Sequence, residues 1–288
     1  MNANSTKSTN TPDLVQGLQD WIGKKLIIDD EITLPAVRRI AAMDDLDPVS
    51  FKRGDPIAPH WYSMFFTLNA RQSQIGPDGH PRKGEFLPPI PLPRRMFVGR
   101  KVEFIEPLRI GDIAYKTSEI ISITQKTGRS GILIFLTIRH TISVNDQARL
   151  IEQQEVVYRE APNASATQIK ATPEPAPEDA QWSESLLMDP VLLFRYSAVT
   201  WNSHRIHYDV EYARNVENYP ACVMNGALTV HRIIDAAMRN HPVKTLTHLT
   251  AKLFKPLFVG NTATLAGKLV DENQVHAWAS DESGSLAG

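Results

Sequence analysis

Residues 194–209 read FRYSAVTWNSHRIHYD and gather the groups best suited to moving protons. Asn202, His204 and His207 fall within six residues, and Asp209 follows closely. Imidazole exchanges a proton near neutral pH, so a positioned His is the most frequent general acid and base. An Asn beside it does not titrate, yet its amide both accepts and donates hydrogen bonds and can hold a water. The group therefore suits proton transfer to or from a bound water or substrate. Other readings compete for the same residues. His204 and His207 could pair on a metal, but no further His, Cys or carboxylate pattern completes a ligand set around them. No metal and no cofactor are expected. Asp209 also reads as the cap of a helical turn that continues through Glu211 and Arg214.

These residues need elements to hold them. Residues 223–238 (VMNGALTVHRIIDAAM) place Val223, Ala227, Val230, Ile234 and Ala237 at helical spacing, and the other faces are also rather apolar, so this helix should be largely buried. In the first half, residues 33–43 and 59–70 can be helical. Strands are expected at 101–106, 113–124, 131–144 and 148–159, the third of these rich in β-branched residues, and again at 262–270. A buried helix followed by antiparallel strands, twice over, is an α+β design. A sheet that wraps around the helix would explain its apolar circumference.

The two halves share a pattern. Residues 103–112 read EFIEPLRIGD and residues 252–261 read KLFKPLFVGN. The shared Pro-Leu-x-x-Gly-Asp/Asn suits a turn that reverses the chain between strands, and a duplicated unit is expected. Residues 161–181 (APNASATQIKATPEPAPEDAQ) carry no apolar periodicity and read as an extended linker between residues 13–160 and 182–288. Residues 1–12 read as a disordered tail.

Composition narrows the class. The chain has 288 residues, 42% of them apolar, with 31 Lys plus Arg against 32 Asp plus Glu. Such a balance gives no field that would favour nucleic acid or an anionic membrane. There is no run of 18 apolar residues and no secretory signal at the start, which points to a cytoplasmic protein. A single cysteine, Cys222, excludes an internal disulfide and fits a reducing compartment; it reads as a buried small apolar residue.

The run TWNSHRIHYD resembles the motif of MaoC-like (R)-specific hydratases and dehydratases, which have a hot-dog fold. That motif is Asp, any residue, Asn, Pro, an aliphatic residue and His. Here Asn202 stands at the Asp, His204 at the Asn, Arg205 at the Pro, Ile206 at the aliphatic position and His207 at the His. The run is more similar still to the fused double hot-dog branch that includes hydroxyacyl-thioester dehydratase type 2 and mesaconyl-C4-CoA hydratases, and so are residues 56–66 (PIAPHWYSMFF) and 92–104 (LPRRMFVGRKVEF).

The resemblance implies an α+β double hot-dog and the reversible addition of water to an enoyl thioester. It implies that His207 abstracts the proton of the attacking water and that Asn202, in place of the family Asp, positions that water. Backbone N–H groups at the start of the central helix would stabilise the thioester oxygen, with Gly226 the candidate donor. The alternative for Gly226 is close packing of helix on strand. Asn225 stands where relatives often have His. The substrate implied is a C4–C5 dicarboxylyl-CoA such as mesaconyl- or itaconyl-CoA. Arg94, Arg95 and Arg100 cluster nearby, and Arg95 or Arg205 is the candidate partner for a distal carboxylate. The first half has acids but no His at 41–55, so one active site is expected, in the second half. The other readings are a 3-hydroxyacyl-thioester dehydratase of fatty acid synthesis and a non-catalytic acyl-thioester binding protein. A monomer of fused halves and a homodimer are both open.

Overall fold

Gly111 and Gly260 close the repeated turn in the same left-handed conformation, with φ of 100° and 90°, which a side chain would oppose. The bonds around them match one for one. Gly111 N donates to Ile32 O and Gly260 N to Met188 O, while Ile57 N donates to Leu108 O and Met224 N to Leu257 O. The repeat read between 103–112 and 252–261 is thus a repeat of structure. The computed structural model describes residues 13–82, 85–128, 131–160 and 174–288. The expected tail (1–12) and the first part of the expected linker (161–173) lie outside them. Past residue 174 the chain is bonded to its surroundings, Ala176 N to Gly284 O and Gln181 N to Gly267 O.

Among the described residues all strand pairs are antiparallel. The larger sheet contains β1 (Lys25–Glu31), β2 (Arg94–Phe104), β3 (Ile113–Gly128), β4 (Gly131–Val144), β5 (Gln147–Arg159) and β7 (His248–Lys252), in the order β1-β3-β4-β5-β2-β7. The smaller one contains β6 (Trp182–Leu187), β8 (Thr262–Asp271) and β9 (Gln274–Ser280), in the order β6-β8-β9. β7 comes from the second half yet pairs with β2 of the first, Val102 opposite Leu249. β4 alternates buried and less buried residues along most of its length, as a sheet with one face on a core requires.

Among the described residues four α-helices complete the fold: α1 (Leu34–Met43), α2 (Pro190–Val199), α3 (Val210–Asn215) and α4 (Gly226–Asn240). The oxygen side chains of Thr33, Asp189 and Asp209 cap the first three, the last as its alternative reading anticipated. α4 is the expected central helix and buries Leu228, Val230, His231 and Ile234. The helix expected at 59–70 is instead a short 3-10 helix, Pro59–Met64. It stops before Phe66, which takes a φ of 59° while its N–H binds Asp30 Oδ2 at 2.8 Å. By the repeated bonds it stands where α4 begins. The α+β double hot-dog therefore has one long central helix, in its second half. The largest apolar cluster is shared between halves, with Ile32, Ile40, Trp61 and Ile110 packed in one core with Met188, Leu193, Leu228 and Leu257. Cys222 is free and half-buried rather than fully buried. None of the described helices is long and apolar enough to cross a membrane.

Candidate active site

The turn that leaves α2 builds the site. Thr200 N donates to Tyr196 O, Trp201 adopts a φ of 51°, and Asn202 N donates to Ser197 O at 2.8 Å. The turn that leaves α1 does the same: Asp44 N donates to Ile40 O, Asp45 has a φ of 58°, and Leu46 N donates to Ala41 O. Leu46 is thus the counterpart of Asn202, and by the same spacing Phe51 is the counterpart of His207. The first half keeps the backbone of the turn with apolar side chains at the positions of the candidate residues Asn202 and His207.

Asn202 turns its side chain back on the chain, where Oδ1 accepts the His204 N–H at 3.1 Å. This shapes the short 3-10 helix Arg205–His207 that follows. His207 is buried, and its Nδ1 lies 2.8 Å from the carbonyl oxygen of Val223. A carbonyl only accepts, so Nδ1 carries the proton and Nε2 keeps its lone pair. Burial pushes the imidazole down to about 4, against a smaller raising effect of the Val223 carbonyl. The ring is therefore neutral at pH 7. Val223 N in turn donates to Ile206 O at 2.9 Å, so residues 206–207 and 223 are stitched together.

Three residues beyond Val223, α4 begins. Its cap residue Asn225 makes no side-chain cap. Its Nδ2 contacts Ser197 Oγ at 3.4 Å, and its Oδ1 is buried without a partner among the described residues. The first N–H groups of α4, beginning with Gly226, are left without a capping side chain. Gly226 also meets Leu253, whose side chain a Cβ would crowd, so close packing contributes to the need for glycine there.

The first half supplies a part of the site that composition and spacing did not reveal. The loop at 76–80 lies on the His204–Arg205 turn. Arg205 N donates to Asp78 O at 2.9 Å, and Ser203 Oγ donates to Gly79 O at 2.7 Å. The His80 ring stacks 4.0 Å from that of His204, which stands edge-on 5.4 Å from His207. Burial, then His80 and His207, push His204 down to about 3. Gly79 marks the loop's close approach: it has a φ of 91°, and a Cβ there would collide with the Ser203 carbonyl. The dense turn signal GPDGHP, with its His, was the available clue. We expect Gly79→Ala to lower kcat/KM at least about tenfold, since a displaced loop moves His80 and the His204 turn with it. Steady-state kinetics beside a circular dichroism spectrum checks this, and an unchanged rate would remove the loop from the site.

Of the arginines, Arg205 is already engaged. It binds Asp209 through Nη2 at 2.7 Å and Nε at 3.0 Å, donates to Pro77 O at 3.1 Å and lies over the Tyr212 ring. It is therefore better placed to hold the turn than to meet a ligand. Arg94 pairs with Glu217 and Arg100 with buried Glu152. Arg95 is exposed, and its charge acts on His204. For metals, Asp78, His80 and His204 bring one ligand atom each within 4.8 Å of one another, and so do Asp44, His60 and His231. In both sets a His nitrogen is already bonded to the Asp, His80 at 3.1 Å and His231 at 2.9 Å.

A double hot-dog with a buried neutral histidine beside the open end of its central helix defines the MaoC-like hydratase and dehydratase class of hydro-lyases. Within that class the chain belongs to the hydroxyacyl-thioester dehydratase type 2 family, whose pattern it matches over residues 60–259. It is 40% identical over 242 residues to the mesaconyl-C(4)-CoA hydratase of Chloroflexus aurantiacus, an alignment that covers 83% of this chain and 84% of the relative. Among solved structures, a MaoC-like dehydratase from Phytophthora capsici superposes with a TM-score of 0.70 at 13% identity, covering 95% of each chain. A Mycobacterium tuberculosis protein described as a double hotdog gives 0.52 at 12% identity, covering 92% of this chain and 93% of that one.

Proposed function

We propose that this hydro-lyase hydrates an enoyl-CoA reversibly, and that its substrate is a C4–C5 dicarboxylyl-CoA of the mesaconyl-C4-CoA type. The observation that carries the mechanism is the His207 Nδ1–Val223 carbonyl bond. It fixes the tautomer, leaves Nε2 as the base and ties that base to the segment that opens α4. In hydration, Nε2 takes a proton from water as the oxygen attacks the β-carbon, and the protonated ring then delivers a proton to the α-carbon. Asn202 has its Oδ1 on the turn, which leaves its Nδ2 to donate to the water oxygen. Negative charge that develops on the thioester oxygen meets the N–H of Gly226 at the positive end of α4. Arg95 is the candidate for the distal carboxylate or the CoA phosphates, and Asn225 shapes the wall of the thioester pocket. Arg205 acts by holding the turn.

The substrate class rests on the similarity to the Chloroflexus enzyme. The family match also favours a second reading, dehydration of a 3-hydroxyacyl thioester with a longer acyl chain. The leading reading places the enzyme in the cytoplasm, and neither reading calls on a cofactor. One experiment separates these readings. Loss of conjugated-thioester absorbance is followed over a panel from crotonyl-CoA to mesaconyl-C4-CoA and long-chain enoyl-CoAs, with thiol release measured in parallel. The expected result is hydration without thiol release, fastest with the branched dicarboxylyl thioester. Preference for long chains would establish the second reading, and no turnover at all would leave a binding protein.

A further inference from the structure

α2 turns its inner face to the core through Leu193, Tyr196 and Ser197. Its outer face is apolar as well. Val191, Phe194 and Ala198 follow one another at helical spacing and are exposed, with Leu187 just before the helix and Trp201 just after it. Phe194 and Trp201 are each 68% exposed, Val191 59% and Leu187 57%. The internal repeat tells what this backbone needs at those places. Gly111 N and Gly260 N donate to Ile32 O and Met188 O, which makes Ile32 the counterpart of Met188. Counting from there, Glu31, Pro35, Arg38, Ala42 and Asp45 stand where the second half has Leu187, Val191, Phe194, Ala198 and Trp201. The first half thus builds the same strand end, helix and turn with two acids and an arginine. The fold does not require the apolar stripe, and water opposes it. The described chain stops elsewhere: Leu14 N is bonded to Gln125 of β3, Glu174 O accepts from Leu286 N, and Gly288 O accepts from Ala279 N of β9.

A second copy of the chain is the occupant that fits. A two-fold interface must match itself when reversed. The stripe does so about its middle residue, Phe194: two antiparallel copies of α2 crossing there set Leu187 of each copy against Trp201 of the other, and Val191 against Ala198. Every apolar residue then meets an apolar residue. The charges of α2 and its cap are one acid, Asp189, and one exposed base, Arg195, so two copies are not repelled. A basic rim of the kind that holds an anionic membrane is not part of this helix. At these exposures the four large side chains offer roughly 500 Å² of apolar surface per copy. Tyr208, 56% exposed with its hydroxyl on Ser203 O, extends the face beyond Trp201. Two such faces together remove about 1,000 Å², the size from which a specific interface is expected. We infer that the chain forms a two-fold dimer through the outer face of α2, with Phe194 at the axis. The interface ends on Trp201, the residue before Asn202, so each copy braces the turn that carries the other's candidate site. Dimerisation is read without substrate and is independent of the hydratase reading.

The test is sedimentation velocity on the whole chain over about three decades of concentration. The variant combines Leu187→Glu with Phe194→Arg. Each new residue is the one the first half carries at the same place, so the backbone accommodates both, and circular dichroism confirms the fold. Val243→Glu, at a position 94% exposed away from α2, is the control. We expect the parent protein and the control to dimerise alike, and the double variant to dimerise at least about a hundredfold more weakly. Hydroxyl-radical labelling of Phe194 and Trp201 should fall as the parent protein dimerises and stay high in the double variant. A parent protein that is monomeric throughout overturns the inference, and so does a dimer that the double variant leaves intact. A monomer whose Phe194 and Trp201 are nevertheless protected from labelling is covered by its own chain, which overturns it as well.

Discussion

His207→Ala is expected to lower kcat for enoyl-CoA hydration by on the order of a hundredfold or more, the usual weight of a general acid–base residue. Alanine also removes the bond to Val223 O, so a lost fold must be kept apart from lost chemistry. His207→Gln does this. Its amide can still donate to the Val223 carbonyl, while it cannot transfer a proton at any working pH. Both variants should be inactive, and Gln should melt closer to the parent protein. Asn202→Asp should retain hydration, because a carboxylate can accept from His204 N and still face the water. The pH profile adds a second readout. Burial lowers the His207 pKa to about 4, so the basic form exists above that value and is lost as pH falls through it. The acid limb of kcat/KM should therefore lie near 4, well below the ordinary histidine value of about 6.5. Full activity in His207→Gln would sink the mechanism, and an acid limb near 6.5 would sink the buried, neutral base.

What the sequence showed and what it hid follow from range. The central helix was legible because its apolar residues recur every turn, and α4 is observed at Gly226–Asn240. The repeat was legible because a Pro-Leu-x-x-Gly turn needs the same residues wherever it occurs. β4 was plain from its β-branched run, and β5 was expected at 148–159. By contrast β1 (KLIIDDE) and β6 (WSESLL) are short and polar, and their pairing with β3 and β8 supplies what their composition does not. Residues 59–70 could be read as helical, yet only Pro59–Met64 form a 3-10 helix. The helix goes no further because Phe66 takes a φ of 59°, held by its N–H bond to Asp30 Oδ2. In the site, the local cluster Asn202–His204–His207 was visible, whereas His80 was not. It lies more than a hundred residues away in sequence, and only the docking of Gly79 onto Ser203 brings it to His204.

The largest stability effect is expected at a residue that does no chemistry. Asp44 follows α1, and the repeated backbone bonds make it the counterpart of Thr200 on the turn before Asn202. Its carboxylate is fully buried and reaches across to α4. His231 Nε2 lies 2.9 Å from both of its oxygens, and Arg232 Nη1 lies 3.3 Å from one of them. Arg232 Nη2 also donates to Met43 O at 3.0 Å, and the His60 ring packs 4.7 Å from that of His231. A carboxylate withdrawn from water is tolerated only with such partners, and those partners need it equally. Asp44→Ala leaves the Arg232 charge and the His231 N–H facing an empty buried position, so a loss of about 3–5 kcal/mol is expected. That is a large share of the roughly 5–15 kcal/mol that holds a domain folded. Asp44→Asn keeps one acceptor without the charge and should cost less. Urea midpoints of the two variants at equal slope measure the difference, and a loss below about 1 kcal/mol in Asp44→Ala would show that the joint is not electrostatic. Asp44, in the first half's copy of that turn, thus has a use. At the same place in the repeat where the second half carries the proposed catalytic residues Asn202 and His207, the first half uses Asp44 to hold α4.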